Sequence, residues 1–164
     1  MKEGVQMRYG LISGPDCGFP IQMTAAEAIA WQSGRFVARN TSTGYAEIAD
    51  TTDDIIGWFE EGEDSSSDSG LIGKCLYSLD AIFRLPLIYD NSTYTTNYSA
   101  AILFESCDLK VSGGVQYADP HAAANKTLII VGGKAATGTT IVGNDGYLDV
   151  IISPKNRLDL GVGA

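Results

Sequence analysis

The feature that most constrains this chain is a recurrence of short runs rich in Val, Ile, Tyr, Phe and Thr, set between clusters of Gly, Asn, Asp and Ser. Runs this short, bounded by residues that tolerate turn geometry, are too brief for stable helices and match strands of an all-β domain. The expected strands are RFVAR (35 to 39), YAEIA (45 to 49), IIGWF (55 to 59), GKCLYSL (73 to 79), IFRLPLI (82 to 88), AAILFE (100 to 105), VQYA (115 to 118), TLIIVG (127 to 132) and YLDVIIS (147 to 153). The turns TSTG before Tyr45, SGG at 112 to 114 and GNDG at 143 to 146 supply Gly and Asn where positive φ is needed, so antiparallel hairpins follow. The expected fold is all-β: an antiparallel β-sandwich or a small β-barrel (β-tulip-like), with one short helix at most.

That one helix would lie in MTAAEAIAWQSG. Thr24 and Glu27 have capping-box spacing, the alanines favour helix and Gly34 offers a stop. Ile29 and Trp31 would fall on different helical faces, so an extended, alternating segment is an equal reading. The run EEGEDSSSDSG, 60 to 70, holds no apolar side chain and cannot offset the entropy of ordering, so a flexible acidic loop is expected there. At 164 residues the chain is read as a single β domain over 20 to 164, preceded by an N-terminal arm and lead-in over 1 to 19.

Charge narrows the partners. Twenty acidic against 11 basic residues leave a net charge of -9, which repels nucleic acid phosphates. No apolar run approaches a membrane span, and MKEGVQMRYG lacks the apolar core of a signal peptide, so synthesis in the cytoplasm is expected, with neither nucleic acid nor membrane as partner. Cys17, Cys75 and Cys107 form neither a redox pair nor a zinc set and read as buried free thiols.

Candidate chemistry is thin. The stretch DSSSDSGLIGKC places Ser66 and Cys75 where a calcium loop needs acidic ligands. His121, the sole histidine, follows Asp119 and Pro120, but no GxSxG elbow supplies a nucleophile. GGKAATGTT at 132 to 140 has the residues of a phosphate loop in the wrong order and reads as a mobile hairpin tip. No enzyme activity, cofactor or metal is expected. The aromatics, including Trp31, Tyr45, Trp58, Phe59, Tyr89, Tyr94 and Tyr98, serve either as core and interface or as a sugar-binding platform. Trp31, Arg35 and Trp58 are the candidate residues of an oligomer or partner interface.

The order PIQMTAAEAIAWQSGRFVARN, then YAEIADTTDDIIGWF, resembles capsid decoration (cement) proteins of tailed bacteriophages. In those families an early segment leads to a strand of the type G-[DR]-[FL]-V, a strand of small residues and a short I-x-G strand, here Arg35 to Val37, Tyr45 to Ala49 and Ile55 to Gly57. The segments Asp80 to Pro86, CDL at 107 to 109 and LIIVGG at 128 to 133 continue the likeness. The resemblance implies a structural virion protein on the capsid exterior that bridges major capsid protein subunits as a homotrimer. Val5, Met7 and Tyr9 of the N-terminal arm are the candidate capsid-binding residues. The competing expectations are a carbohydrate-binding or host-attachment module, and a small hydrolase using Asp119 and His121.

Overall fold

The computed structural model describes residues 9–13, 18–22, 34–42, 44, 46–53, 55–59, 72–76, 81–138, 141 and 144–154, with only the backbone described for 18–22 and 72–76. The expected helix within 24 to 34, the acidic 60 to 70 loop and the arm before Tyr9 lie outside them. Among the described residues eleven strands form two sheets: β1 (Gly10–Ser13), β2 (Gly18–Gln22), β3 (Arg35–Arg39), β4 (Ala46–Ile48), β5 (Ile55–Phe59), β6 (Ile72–Leu76), β7 (Ile82–Pro86), β8 (Ser106–Ser112), β9 (Val115–Asp119), β10 (Leu128–Lys134) and β11 (Tyr147–Ile152). The six-stranded sheet runs β1-β7-β11-β10-β8-β9 and the five-stranded sheet β2-β6-β5-β3-β4, with every ladder antiparallel. Among the described residues no helix is long and apolar enough to cross a membrane.

Of the two architectures expected, the sandwich is the one found. The six-stranded sheet curls until β9 approaches the end of β7, where a single parallel bridge joins Leu87 to Ala118 and the Ile88 N–H donates to the Ala118 carbonyl at 3.1 Å. One bridge is not a ladder, so the barrel stays open. Within the lead-in expected over 1 to 19, β1 pairs with β7, and β2, beginning at Gly18, pairs with β6. Strand pairing between distant segments, not local composition, recruits these short pieces.

Alternation builds the shared core. Phe83 and Leu85 on β7 and Leu148, Val150 and Ile152 on β11 point inward, while Arg84, Tyr147 and Asp149 point outward. On the outer face Arg84 grips Asp149 with two bonds of 2.7 and 2.9 Å, and its guanidinium carbon lies 3.9 Å from the Tyr147 ring centre. From the five-stranded sheet come Phe36, Ile55 and Trp58, and the rings of Phe36, Trp58 and Phe83 sit with centres 4.8 to 5.1 Å apart. Such ring pairs each add about 0.5–1.5 kcal/mol beyond area burial.

Strand β5 is buried along its whole length, and a bulge explains how. Val37 pairs with Gly57 but Ala38 pairs with Ile55, leaving Ile56 as the extra residue. The extra residue resets the alternation, so Ile55 and Trp58 enter the inter-sheet core while Ile56 and Phe59 join Val37 and Ala46 in a second cluster.

Two expectations fail locally. AAILFE is no strand: Ala100–Ile102 form one 3₁₀ turn, and the chain then enters β8. Strand β8 escapes a propensity reading because Asp108 and Lys110 interrupt it, yet buried Asp108 accepts the backbone N–H of Asn125 (3.1 Å) and of Lys126 (2.7 Å). The supposed mobile tip at 132 to 140 begins as strand, since Gly132, Gly133 and Lys134 pair with Asp149, Leu148 and Tyr147. Gly133 has a packing reason: a Cβ there would meet the Tyr147 carbonyl oxygen at 2.6 Å and the Tyr98 ring at 2.8 Å.

The sheets are also joined by a polar clasp. The Ala49 N–H reaches the Phe36 carbonyl at 3.0 Å, but the reciprocal rung between β3 and the end of β4 is replaced by the Gln116 carboxamide from β9. Its oxygen accepts the Phe36 N–H (2.8 Å), and its nitrogen donates to the carbonyls of Phe36 (3.0 Å) and Ala49 (2.9 Å). Gln116 is only 3 % exposed, so these groups are shielded from bulk water. Gln116→Leu strands a buried N–H and a buried carbonyl, and at about 1–3 kcal/mol for each such group it should lower unfolding stability by about 2–4 kcal/mol in a urea titration. Stability within about 0.5 kcal/mol of the parent would refute the clasp.

Candidate functional site

At one end of the sandwich the strands leave a cleft of about 280 Å³. Its walls come from Gly34 and Arg35 at the entry to β3, the end of β7 (Leu85, Pro86) and β9 (Val115, Gln116, Tyr117), with Tyr9, Trp58, Ile141 and Asn144 completing it among the described residues. Three of the sequence candidates, Tyr9, Arg35 and Trp58, therefore meet in one place although they lie far apart in the chain. Val5, Met7 and Trp31 lie outside the described residues.

The three differ in what they expose. Trp58 is only 2 % exposed and stacks with Phe36 and Phe83, so it contributes an edge to the cleft. As a candidate interface residue Trp58 offers a partner little more than that edge, because most of the indole surface is covered by the core. Tyr9 is 46 % exposed. Burial first, and then neighbouring Tyr117, raise the Tyr9 phenol's pKa, with Arg84 pulling the other way and Asp145 adding to the rise. Arg35 is half-buried, and its Nη1 donates to the Gly34 carbonyl at 3.1 Å. Among the described residues no carboxylate forms an ion pair with Arg35.

Glycines make room for the Trp58 edge. Gly10 has φ +114 and Gly34 φ +89, and a Cβ on them would lie 3.3 and 3.5 Å from the indole Cζ2. At Gly34 the contact is tolerable, so the backbone conformation is what demands glycine.

The hydrolase expectation finds its residues occupied otherwise. Asp119 is buried and accepts the backbone N–H of His121 at 3.0 Å, closing the turn around Pro120 while His121 itself is exposed. Burial raises the Asp119 pKa, opposed by the backbone N–H groups of His121 and Ala122. Cys107 is fully buried, and burial, then Asp108 and Asp119, push its thiol pKa far up, away from nucleophilic use. Among the described residues no cluster of three or more His, Cys, Asp or Glu could hold a metal. The sugar-platform expectation places Trp58 and Phe59 together, but both are core residues.

No family model, curated protein or solved structure matches the chain.

Two residues that sequence reasoning missed stand out. Tyr117 lies in VQYA, an ordinary strand by pattern, yet it lines the cleft. Phe104 is 78 % exposed at φ +66, a left-handed conformation that a phenylalanine rarely adopts. The Phe104 N–H donates to the Ile130 carbonyl (2.8 Å) and the Ile130 N–H to the Glu105 carbonyl (3.0 Å), so two backbone bonds fix the turn that carries the exposed ring. Composition in AAILFE signals burial, and nothing in it marks the turn.

Gly34→Ala should destabilise the fold by about 1–2 kcal/mol through its positive φ alone. An unchanged melting temperature would overturn that account of the cleft's rim.

Proposed function

We propose that this chain is a non-enzymatic capsid decoration protein of a tailed bacteriophage. It binds the outside of an assembled head as a homotrimer and bridges neighbouring major capsid protein subunits. The reading starts from the sequence resemblance, whose segments fall on β3, β4, β5, β7, β8 and β10, the frame of both sheets. The task is mechanical: a rigid body with a docking surface, made in the host cytoplasm and ending on the virion exterior.

The observation that carries it is Phe104. An aromatic ring almost fully in solvent, carried on a turn whose backbone is already fixed before any partner arrives, loses less backbone entropy on docking than one on a free loop. Rigid aromatic anchors of this kind dominate protein interfaces, and their removal commonly costs about 2 kcal/mol or more. The net charge of -9 favours a basic docking surface, so part of the contact should weaken with salt.

The test combines light scattering with co-sedimentation on undecorated phage heads. A trimer that pellets with heads, less so as sodium chloride rises, is the expected result. Phe104→Ser should keep the circular dichroism spectrum and weaken binding by about tenfold or more. A protein that stays in the supernatant at micromolar concentration removes the capsid reading, and undiminished binding by Phe104→Ser removes the ring as its anchor.

A further inference from the structure

We propose that the cleft between Tyr9, Arg35 and Tyr117 is a binding site for a small monoanionic carboxylate ligand with an apolar body. The site does not depend on the capsid reading, since it lies in a concave end of the sandwich and involves neither Phe104 nor its turn.

Three observations define the ligand. The first is the wall: Trp58, Leu85, Pro86, Val115 and Ile141 are apolar, and a concave apolar surface with few convergent polar groups is the general form of a small-molecule site. The second is Arg35. Among the described residues its one side-chain hydrogen bond goes to its own neighbour's carbonyl, which leaves guanidinium N–H donors for a planar, bidentate partner such as a carboxylate. The third is Tyr117, 7 % exposed and lining the cleft, whose hydroxyl has no hydrogen-bond partner among the described residues. A polar group buried to that degree and facing a cavity calls for a ligand atom or water. Tyr9 lies close enough to act on Tyr117 electrostatically, and burial raises its phenol's pKa further, so at neutral pH it adds a donor and no competing charge.

Charge and size limit the anion. Arg35 is the one cation among the described residues of the lining, and the chain as a whole carries -9, so a dianion such as a phosphate monoester would be poorly balanced. A volume of about 280 Å³ admits a body the size of one aromatic or branched aliphatic group. Gln116 and Asn144 border the space, but their amides are already engaged with backbone groups and help shape the wall.

The experiment titrates the isotope-labelled full chain with hydrocinnamate and, separately, with the uncharged hydrocinnamamide, at matched ionic strength with sodium chloride as the anion control. Saturable amide shifts at Gly34, Arg35 and Tyr117, with the acid bound about tenfold or more tightly than the amide, are expected. Arg35→Gln should erase the preference for the acid, and Tyr117→Phe, which keeps the ring, should weaken the acid severalfold while the spectrum stays dispersed. The proposal is overturned if the acid gives no saturable shift in the cleft, if the amide binds equally well, or if both variants bind the acid as the parent does.

Discussion

The structure turns on a backbone problem solved by one side chain. Where β3 and the end of β4 separate, the Phe36 N–H and the Ala49 carbonyl are buried and out of reach of each other, and the Gln116 carboxamide fills the missing rung. Because Gln116 comes from the opposite sheet, hydrogen bonding and sheet packing become one requirement: the sheets cannot slide without stranding both groups. The three packed rings of Phe36, Trp58 and Phe83 lie at the same junction, so the polar clasp sets a position that the aromatic contacts then fill.

The end cleft follows from that junction. Holding Phe36 against β9 places its neighbour Arg35 beside Tyr117, and the bulge at Ile56 turns Trp58 inward so that only an edge reaches the rim. Gly10 approaches that edge from β1 and Gly34 from the residue just before β3, in the other sheet. The cleft is thus a consequence of how the sheets meet, with its polar groups carried on strand ends and its walls supplied by residues continuous with the core. Phe104 belongs to a separate solution, in which the link from the 3₁₀ turn to β8 is pinned to β10 by backbone bonds and leaves a ring in water.

Much of the framework was legible because it depends on period-two burial. IFRLP and YLDVII show it plainly, and RFVAR and IIGWF have the bounds of β3 and β5. The failures have identifiable causes. AAILFE carries strand composition but is diverted by a 3₁₀ turn and by Phe104, whose positive φ no propensity anticipates. SCDLKVS carries charges that a strand reading penalises, yet Asp108 is satisfied by the backbone of the loop at 125 to 126. In VQYAD the alternation suggests an outward glutamine, whereas Gln116 is among the most deeply buried polar side chains described.

By itself, the sequence determined the all-β class, most strand positions and the inward faces of the long strands, because these depend on local residue type and spacing. The tertiary structure alone decided which strands share a sheet, that the curled sheet stops short of a barrel, and that Tyr9, Arg35, Trp58 and Tyr117 converge. The reason is separation along the chain. Gln116 and Phe36 stand 80 residues apart, and a hydrogen bond over that distance depends on the register and curvature of every strand between them, which no local pattern encodes.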